Sequence, residues 1–261
     1  MQAQGIGYYS HLPPRTLGTA AQEAERLAAV GDRHLAGVER RRELIGEIAG
    51  IPDVMDDLDF WRLRTRVREA GCDCLRHFAN GYTHEGGLAL QQNPDEFAAL
   101  CMLLKAKGPF HDYLEIGSAS GGQTLFLSRE VGFERPISID DHESLRAPEQ
   151  THNFAQIPNL LQFVGDSHSP AARAFLEQSL SGRLVDLAFI DGDHSAAGVW
   201  EDLELALSFS GPGTLLVLHD TVACEGVETA RLRLVESQLA TPVAEFVGQK
   251  KPLGTGVAEV R

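Results

Sequence analysis

Apolar and polar residues change rhythm near residue 111 of this chain. Before it, apolar positions recur at helical spacing. Leu27, Val30, Leu35 and Val38 predict a helix or helical pair over Thr19–Ile48, interrupted near Gly31. Leu58–Phe78 reads as a further helix ended by Asn80-Gly81, and Thr83–Gln92 as a loop. Asn93-Pro94-Asp95-Glu96 has the form of a helix start, with a capping side chain, a proline in the first turn and acids at the positive end of the dipole; that helix runs to about Lys107. After residue 111, short apolar runs alternate with amphipathic ones. Strands are expected at Asp112–Gly117, Pro136–Asp140, Leu160–Val164, Val185–Asp191 and Thr214–His219. Helices are expected at Gly122–Val131, Ser144–Ala155, Pro170–Leu180, Ala196–Phe209 and Val227–Leu239. This alternation implies an α/β fold, a parallel sheet with helices on both faces. Pro242–Val247 and Gly256–Val260 break the rhythm and read as an antiparallel hairpin at the end of the sheet.

In such a sheet, ligands bind at the carboxyl ends of the strands. After the first strand, Glu115 leads into a glycine turn, Gly117-Ser118-Ala119-Ser120-Gly121-Gly122, and a helix start. Glycine lets a ligand approach the backbone, and the helix N-terminus offers unpaired N–H groups. The spacing departs from G-x-G-x-x-G, which counts against a dinucleotide and therefore against an NAD-dependent oxidoreductase. The second strand ends on Asp140 and Asp141, and the third on Gly165, Asp166 and Ser167. The fourth ends on Asp191-Gly192-Asp193-His194, and the fifth on His219, Asp220 and Thr221. Acids at all five ends form a constellation.

Each of these residues has a job it suits. Asp140, with Asp141 as a near substitute, can accept two ribose hydroxyls. Asp166 or Ser167 can meet an adenine ring. Asp191 and Asp220 offer oxygen ligands to a metal, and His219 a nitrogen. An oxygen-rich, partly open site suits Mg²⁺, whereas a histidine ligand moves the preference towards Mn²⁺, Fe²⁺ or Zn²⁺. His219 has a second role open to it, hydrogen bonding behind the ligands. His194, three residues after Asp191, is placed for a general base. The other histidines (His11, His34, His77, His84, His111, His142, His152 and His168) have no comparable partners in sequence and are assigned nothing.

Charge narrows the partners. A formal net charge of −14 repels phosphates, so neither nucleic acid nor an anionic membrane surface is expected. The N-terminal residues have no basic start followed by an apolar run, and no stretch approaches the ~20 apolar residues of a membrane span. Cys72 and Cys74 form C-x-C without a second pair, so the four cysteines read as reduced thiols of a cytoplasmic protein.

The segments YLEIGSASGG, ISIDDH, VGDS, AFIDGDHSAAGVWEDLELAL and GPGTLLVLHDT together resemble the class I S-adenosylmethionine-dependent methyltransferases. Within them the chain is similar to the metal-dependent O-methyltransferase branch, in the group holding macrolide-sugar and rhamnosyl O-methyltransferases and cephalosporin-hydroxylase-like proteins. The resemblance covers about residues 90–261. It implies a Rossmann-like, doubly wound, mostly parallel seven-stranded sheet, with 93–261 as the S-adenosylmethionine-binding domain and 1–92 as a helical extension for a lid and subunit contacts in a homo-oligomer. It places Glu115, Gly117, Ser118 and Gly121 around the methionine part of the cofactor, Asp140 at its ribose, and Asp166 and Ser167 at its adenine. Asp191 and Asp220 match metal ligands and His194 the catalytic base. His219 departs from the aspartate or glutamate often found at its position. The implied reaction moves a methyl group to a hydroxyl of a sugar, phenol or polyketide-type acceptor. A non-catalytic S-adenosylmethionine-binding accessory of a tailoring enzyme is the alternative.

Overall fold

The computed structural model describes residues 40–41, 43–71, 87–142, 152–250 and 252–261. Leu44–Arg261 form one compact unit. Its centre is a seven-stranded sheet of β1 (Asp112–Ile116), β2 (Arg135–Asp140), β3 (Leu161–Val164), β4 (Val185–Ile190), β5 (Ser210–His219), β6 (Ala240–Phe246) and β7 (Thr255–Val260). The order across the sheet is β3-β2-β1-β4-β5-β7-β6. β3, β2, β1, β4 and β5 are parallel, and β7 runs antiparallel to both β5 and β6. The tail is the expected hairpin, but its second strand inserts between β5 and β6, so β6 forms the edge. The chain reverses its direction of travel across the sheet between β1 and β4, and there the strand ends leave a crevice.

Strand alternation divides the core in two, because successive side chains leave opposite faces of a sheet. Tyr113, Leu187, Phe189, Leu215 and Val217 pack with α1 (Leu58–Glu69), α2 (Pro94–Lys107) and α3 (Gly122–Glu130). Leu114, Ile116, Ala188, Ile190, Leu216 and Leu218 pack with α4 (Pro170–Leu180), α5 (Ala196–Ser208) and α6 (Glu225–Glu236). Glu115 and His219 share the odd-numbered register, so they belong to the face that carries α2.

Helix boundaries follow local chemistry. The Asn93 side chain accepts from the N–H groups of Asp95 and Glu96 and starts α2 where the sequence places it. Ser169 and Ser195 cap α4 and α5 in the same way. α1 is shorter than Leu58–Phe78: Ala70 closes on the Arg66 carbonyl, and Gly71 turns the chain at φ +91. Glycine takes that conformation without a Cβ penalty, which ends the helix. Residues 72–86, with the expected Asn80-Gly81 stop and the start of the expected Thr83–Gln92 loop, lie outside the described residues. So does most of Thr19–Ile48, whose described part is helical only to Ile45. Of Ser144–Ala155, residues 144–151 lie outside, and Phe154–Gln156 is a single 3-10 turn. Among the described residues no helix is long and apolar enough to cross a membrane.

Candidate active site

Glu115 stands on β1 with 1% of its surface exposed. It accepts hydrogen bonds from Tyr113 Oη at 2.7 Å, Gln123 Nε2 at 3.1 Å and the Thr124 hydroxyl. Burial pushes its carboxyl up to about 7, against the pull of those donors. β1 and the first turn of α3 are thus pinned together by one acid whose two oxygens are both occupied from within the protein.

The glycine turn is packed tightly within the protein. Gly117 lies at φ +86, and a Cβ there would sit 2.0 Å from the Asp191 carbonyl oxygen. Gly121 lies at φ +73, and its Cβ would meet the Phe154 ring at 2.5 Å. At both positions the missing side chain makes room for another part of the protein. The turn is wedged between the end of β4 and Phe154, and this fixes its path. Ser118 is likewise turned inward, its hydroxyl 2.6 Å from Ser138 Oγ on β2.

Asp140 ends β2 and reaches the same turn. Its carboxylate accepts from Ala119 N at 2.7 Å and His142 N at 2.6 Å, and burial shifts its pKa upward. Structure therefore brings Asp140 and the Gly117–Gly121 turn together. Asp166 does not join them: it faces solvent and accepts from His168 N at 2.9 Å. Ser167 donates to Asp202 on α5 at 2.7 Å.

Across the crevice, β4 and β5 bring four charged groups together. His219 Nδ1 lies 3.2 Å from Asp191 Oδ1 and 3.5 Å from Asp220 Oδ1. His194 Nε2 lies 3.2 Å from Asp220 Oδ2 and 3.5 Å from Asp191 Oδ1. His194 is raised to about 11 by its hydrogen bonds to Asp191 and then Asp220. His219 is fully buried, which alone would lower it, but Asp191 and Asp220 outweigh burial and hold it at about 9. Burial likewise opposes charge on Asp191, and the two imidazoles still hold its carboxyl below the usual range. The four groups thus form a ring in which each imidazole lies between two carboxylates, and those carboxylates favour its protonated form. Asp220 reaches it from a backbone at φ +61, the left-handed region that a non-glycine residue enters only under constraint.

The donor atoms of Asp191, His219 and Asp220 all lie within 4.8 Å of one another. Asp220 Oδ1 is buried and makes no hydrogen bond. An unsatisfied carboxylate oxygen in a mixed N/O donor set fits a divalent cation. His194, Asp220 and Cys224 form a second group of the same compactness.

Sequence reasoning missed three residues of this neighbourhood. Glu96, read there as an acid favouring the helix dipole, is fully buried and accepts from Gly248 N, Leu253 N and Gly254 N. Asp202, an acid within an amphipathic helix, is fully buried and holds Ser167. His168, assigned nothing, places Nε2 3.1 Å from the same Asp202 oxygen. Only the distance in sequence of their partners hid them: 35 residues separate Ser167 from Asp202 and 158 separate Glu96 from Gly254.

A doubly wound sheet with one reversed strand beside β5 carries acids at its strand ends and an Asp-His cluster across the switch point, where such folds bind their ligands. Residues 114–221 match the family described as "Methyltransferase domain". The stretch from Leu114 to Thr221 is thus similar to a methyltransferase domain, and it runs from within β1 to just past the end of β5. Among curated proteins, none matches the sequence. Among solved structures, the chain is similar to an O-methyltransferase from Bacillus cereus in complex with SAH, with 17% identity, a TM-score of 0.53, and coverage of 80% of this chain and 96% of that one. It is also similar to the O-methyltransferase TomG from Streptomyces achromogenes, involved in tomaymycin synthesis and in complex with SAM, with 20% identity, a TM-score of 0.49, and coverage of 78% and 90%. The first likeness extends the shared fold over most of the chain.

Proposed function

We propose that this protein transfers a methyl group from S-adenosylmethionine to a hydroxyl of a small molecule, assisted by a divalent cation. One observation carries the reading: a methyltransferase turn packed directly against an Asp-His cluster, with Gly117 abutting Asp191. The turn and Asp140 would hold the donor, which supplies a methyl on a positively charged sulfur. Asp191, His219 and Asp220 would hold the cation, which supplies positive charge that makes a neighbouring hydroxyl more acidic.

The protein's own residues supply alignment and proton transfer. Catalysis of an in-line displacement rests mainly on holding acceptor and donor in register, and the wedged turn does this for the donor side. His194 faces the crevice from the end of β4 and is half exposed, so an acceptor hydroxyl can reach it. To accept a proton it must first lose the one that Asp191 and Asp220 stabilise. Added positive charge at those two carboxylates favours that loss. The strong negative charge of the chain supports a neutral or cationic acceptor such as a glycoside, phenol or polyketide alcohol.

The test uses S-adenosylmethionine, Mg²⁺ or Mn²⁺, and a panel of glycosides and phenols read by mass shift. His194→Ala should lose turnover while S-adenosylhomocysteine affinity stays near that of the wild type. Turnover that survives this change removes His194 as the base. Full activity after thorough chelation removes the cation from the mechanism.

A further inference from the structure

We propose that Glu96 is a positioning residue: through the loop between β6 and β7 it holds Asp220 in the backbone conformation that completes the Asp-His cluster. The path is continuous. Glu96 Oε1 accepts from Gly248 N at 2.7 Å and Leu253 N at 3.2 Å, and Oε2 accepts from Gly254 N at 2.9 Å. One buried carboxylate thus gathers both ends of the loop. Asn93, one turn earlier, donates to the Lys250 carbonyl at 3.0 Å and closes the middle.

The gathered loop then grips the turn after β5. Thr221 N donates to the Gly254 carbonyl at 3.1 Å, and Val222 N and Ala223 N both donate to the Leu253 carbonyl at 2.9 Å. These three amides directly follow Asp220. Gly254 packs so closely that a Cβ would lie 2.6 Å from Val222 N and from Thr221 Oγ1. Asp220 itself stands in the left-handed region. A residue persists there only where its surroundings over-determine it, and the strap from Glu96 supplies that constraint. Leu253 and Gly254 are therefore held from both sides: their N–H groups by α2, their carbonyls by the amides after Asp220. A bare carboxylate suits this role because each of its oxygens only accepts, so all three N–H groups are satisfied at once.

The metal side of this inference rests on the proposed function; the strap itself does not. The experiment compares full-length wild type, Glu96→Gln, Asp220→Asn and the double variant. Glutamine keeps the shape but turns an NH₂ group towards one set of backbone N–H donors. Amide hydrogen exchange by NMR should speed up at Thr221, Val222 and Ala223 in Glu96→Gln while Leu114 on β1 is unchanged. Unchanged exchange at all three overturns the strap. Gly248→Ala, whose Cβ would press on Asn93, should shift the same three amides less and serves if Glu96→Gln folds poorly. Mn²⁺ affinity, read from the free-ion EPR signal, should fall roughly tenfold or more in Glu96→Gln, as when support behind a ligand is lost. S-adenosylhomocysteine affinity should not change. In the Asp220→Asn background the same glutamine should cost nothing further, because its effect runs through Asp220. Losses that multiply overturn the positioning role. A wild type that takes up no Mn²⁺ counts against the proposed cation, and amide exchange then decides the strap.

Discussion

The two rims of the crevice are built on opposite terms. At the ends of β1 and β2, polar side chains are occupied by the protein itself: Glu115 by three donors, Ser118 by Ser138, Asp140 by two backbone N–H groups. At the ends of β4 and β5, charges face one another and three buried polar atoms, His219 Nε2, Asp220 Oδ1 and Thr221 Oγ1, have no hydrogen-bond partner. The first rim is a finished surface whose shape is set before anything binds. The second holds its energy in ionic contacts that an added cation or proton transfer can exchange. On the proposed function, preorganisation and reactivity are allotted to different strands of one sheet.

The sharpest way to break this contrast is to remove chemistry without touching shape. His194→Ala should lower kcat by about 10²–10⁴-fold with little change in S-adenosylhomocysteine affinity measured by calorimetry. Equal losses in both would mean that the rims are not separable. The converse change is Gly117→Ala, which forces a Cβ against the Asp191 carbonyl at a positive φ. It should cost roughly 2–5 kcal/mol of stability in urea unfolding and disturb both rims together. Thr124→Val removes one of three donors to Glu115 and should cost about 1 kcal/mol, leaving the Asp-His cluster intact.

The smallest effect is one of pH. His194 is raised from 6.5 to about 11 in the folded protein, so the native state binds the extra proton between those values. Its contribution to stability is full below pH 6.5 and is lost as pH rises through about 11. Melting temperature should therefore decline on the alkaline side, and Asp191→Asn should flatten that decline. Glu115 is raised as well, to about 7, so its stabilising share is present below its ordinary range and fades as pH approaches 7. A chain whose melting temperature climbs above pH 8 would contradict the ionic picture of the second rim.

Much of this was legible residue by residue. The five parallel strands fall within one residue of their expected starts and ends, save that β5 begins four residues early at Ser210. Strands buried on both faces read as unbroken apolar runs, and caps such as Asn93 and Ser169 are local chemistry. Asp191, His194, His219 and Asp220 were legible for the same reason: each sits at the end of such a run. Glu96 was not, because an acid in the first turn of a helix has the same local appearance whether it meets water or three distant amides. The place of β7 between β5 and β6 was hidden likewise, since a hairpin's own residues do not say which of its strands meets the sheet.

By itself, then, the sequence determined the elements, their parallel order and the residues at each strand end, because hydrophobic period and capping act over a few residues. Only the tertiary structure decided what those residues face. It turned the glycines towards Asp191 and Phe154, made Asp202 and Glu96 interior anchors, and closed four charges into one cluster. Burial and ion pairing are properties of neighbours in space, and the chain brings those neighbours together from up to 158 positions apart.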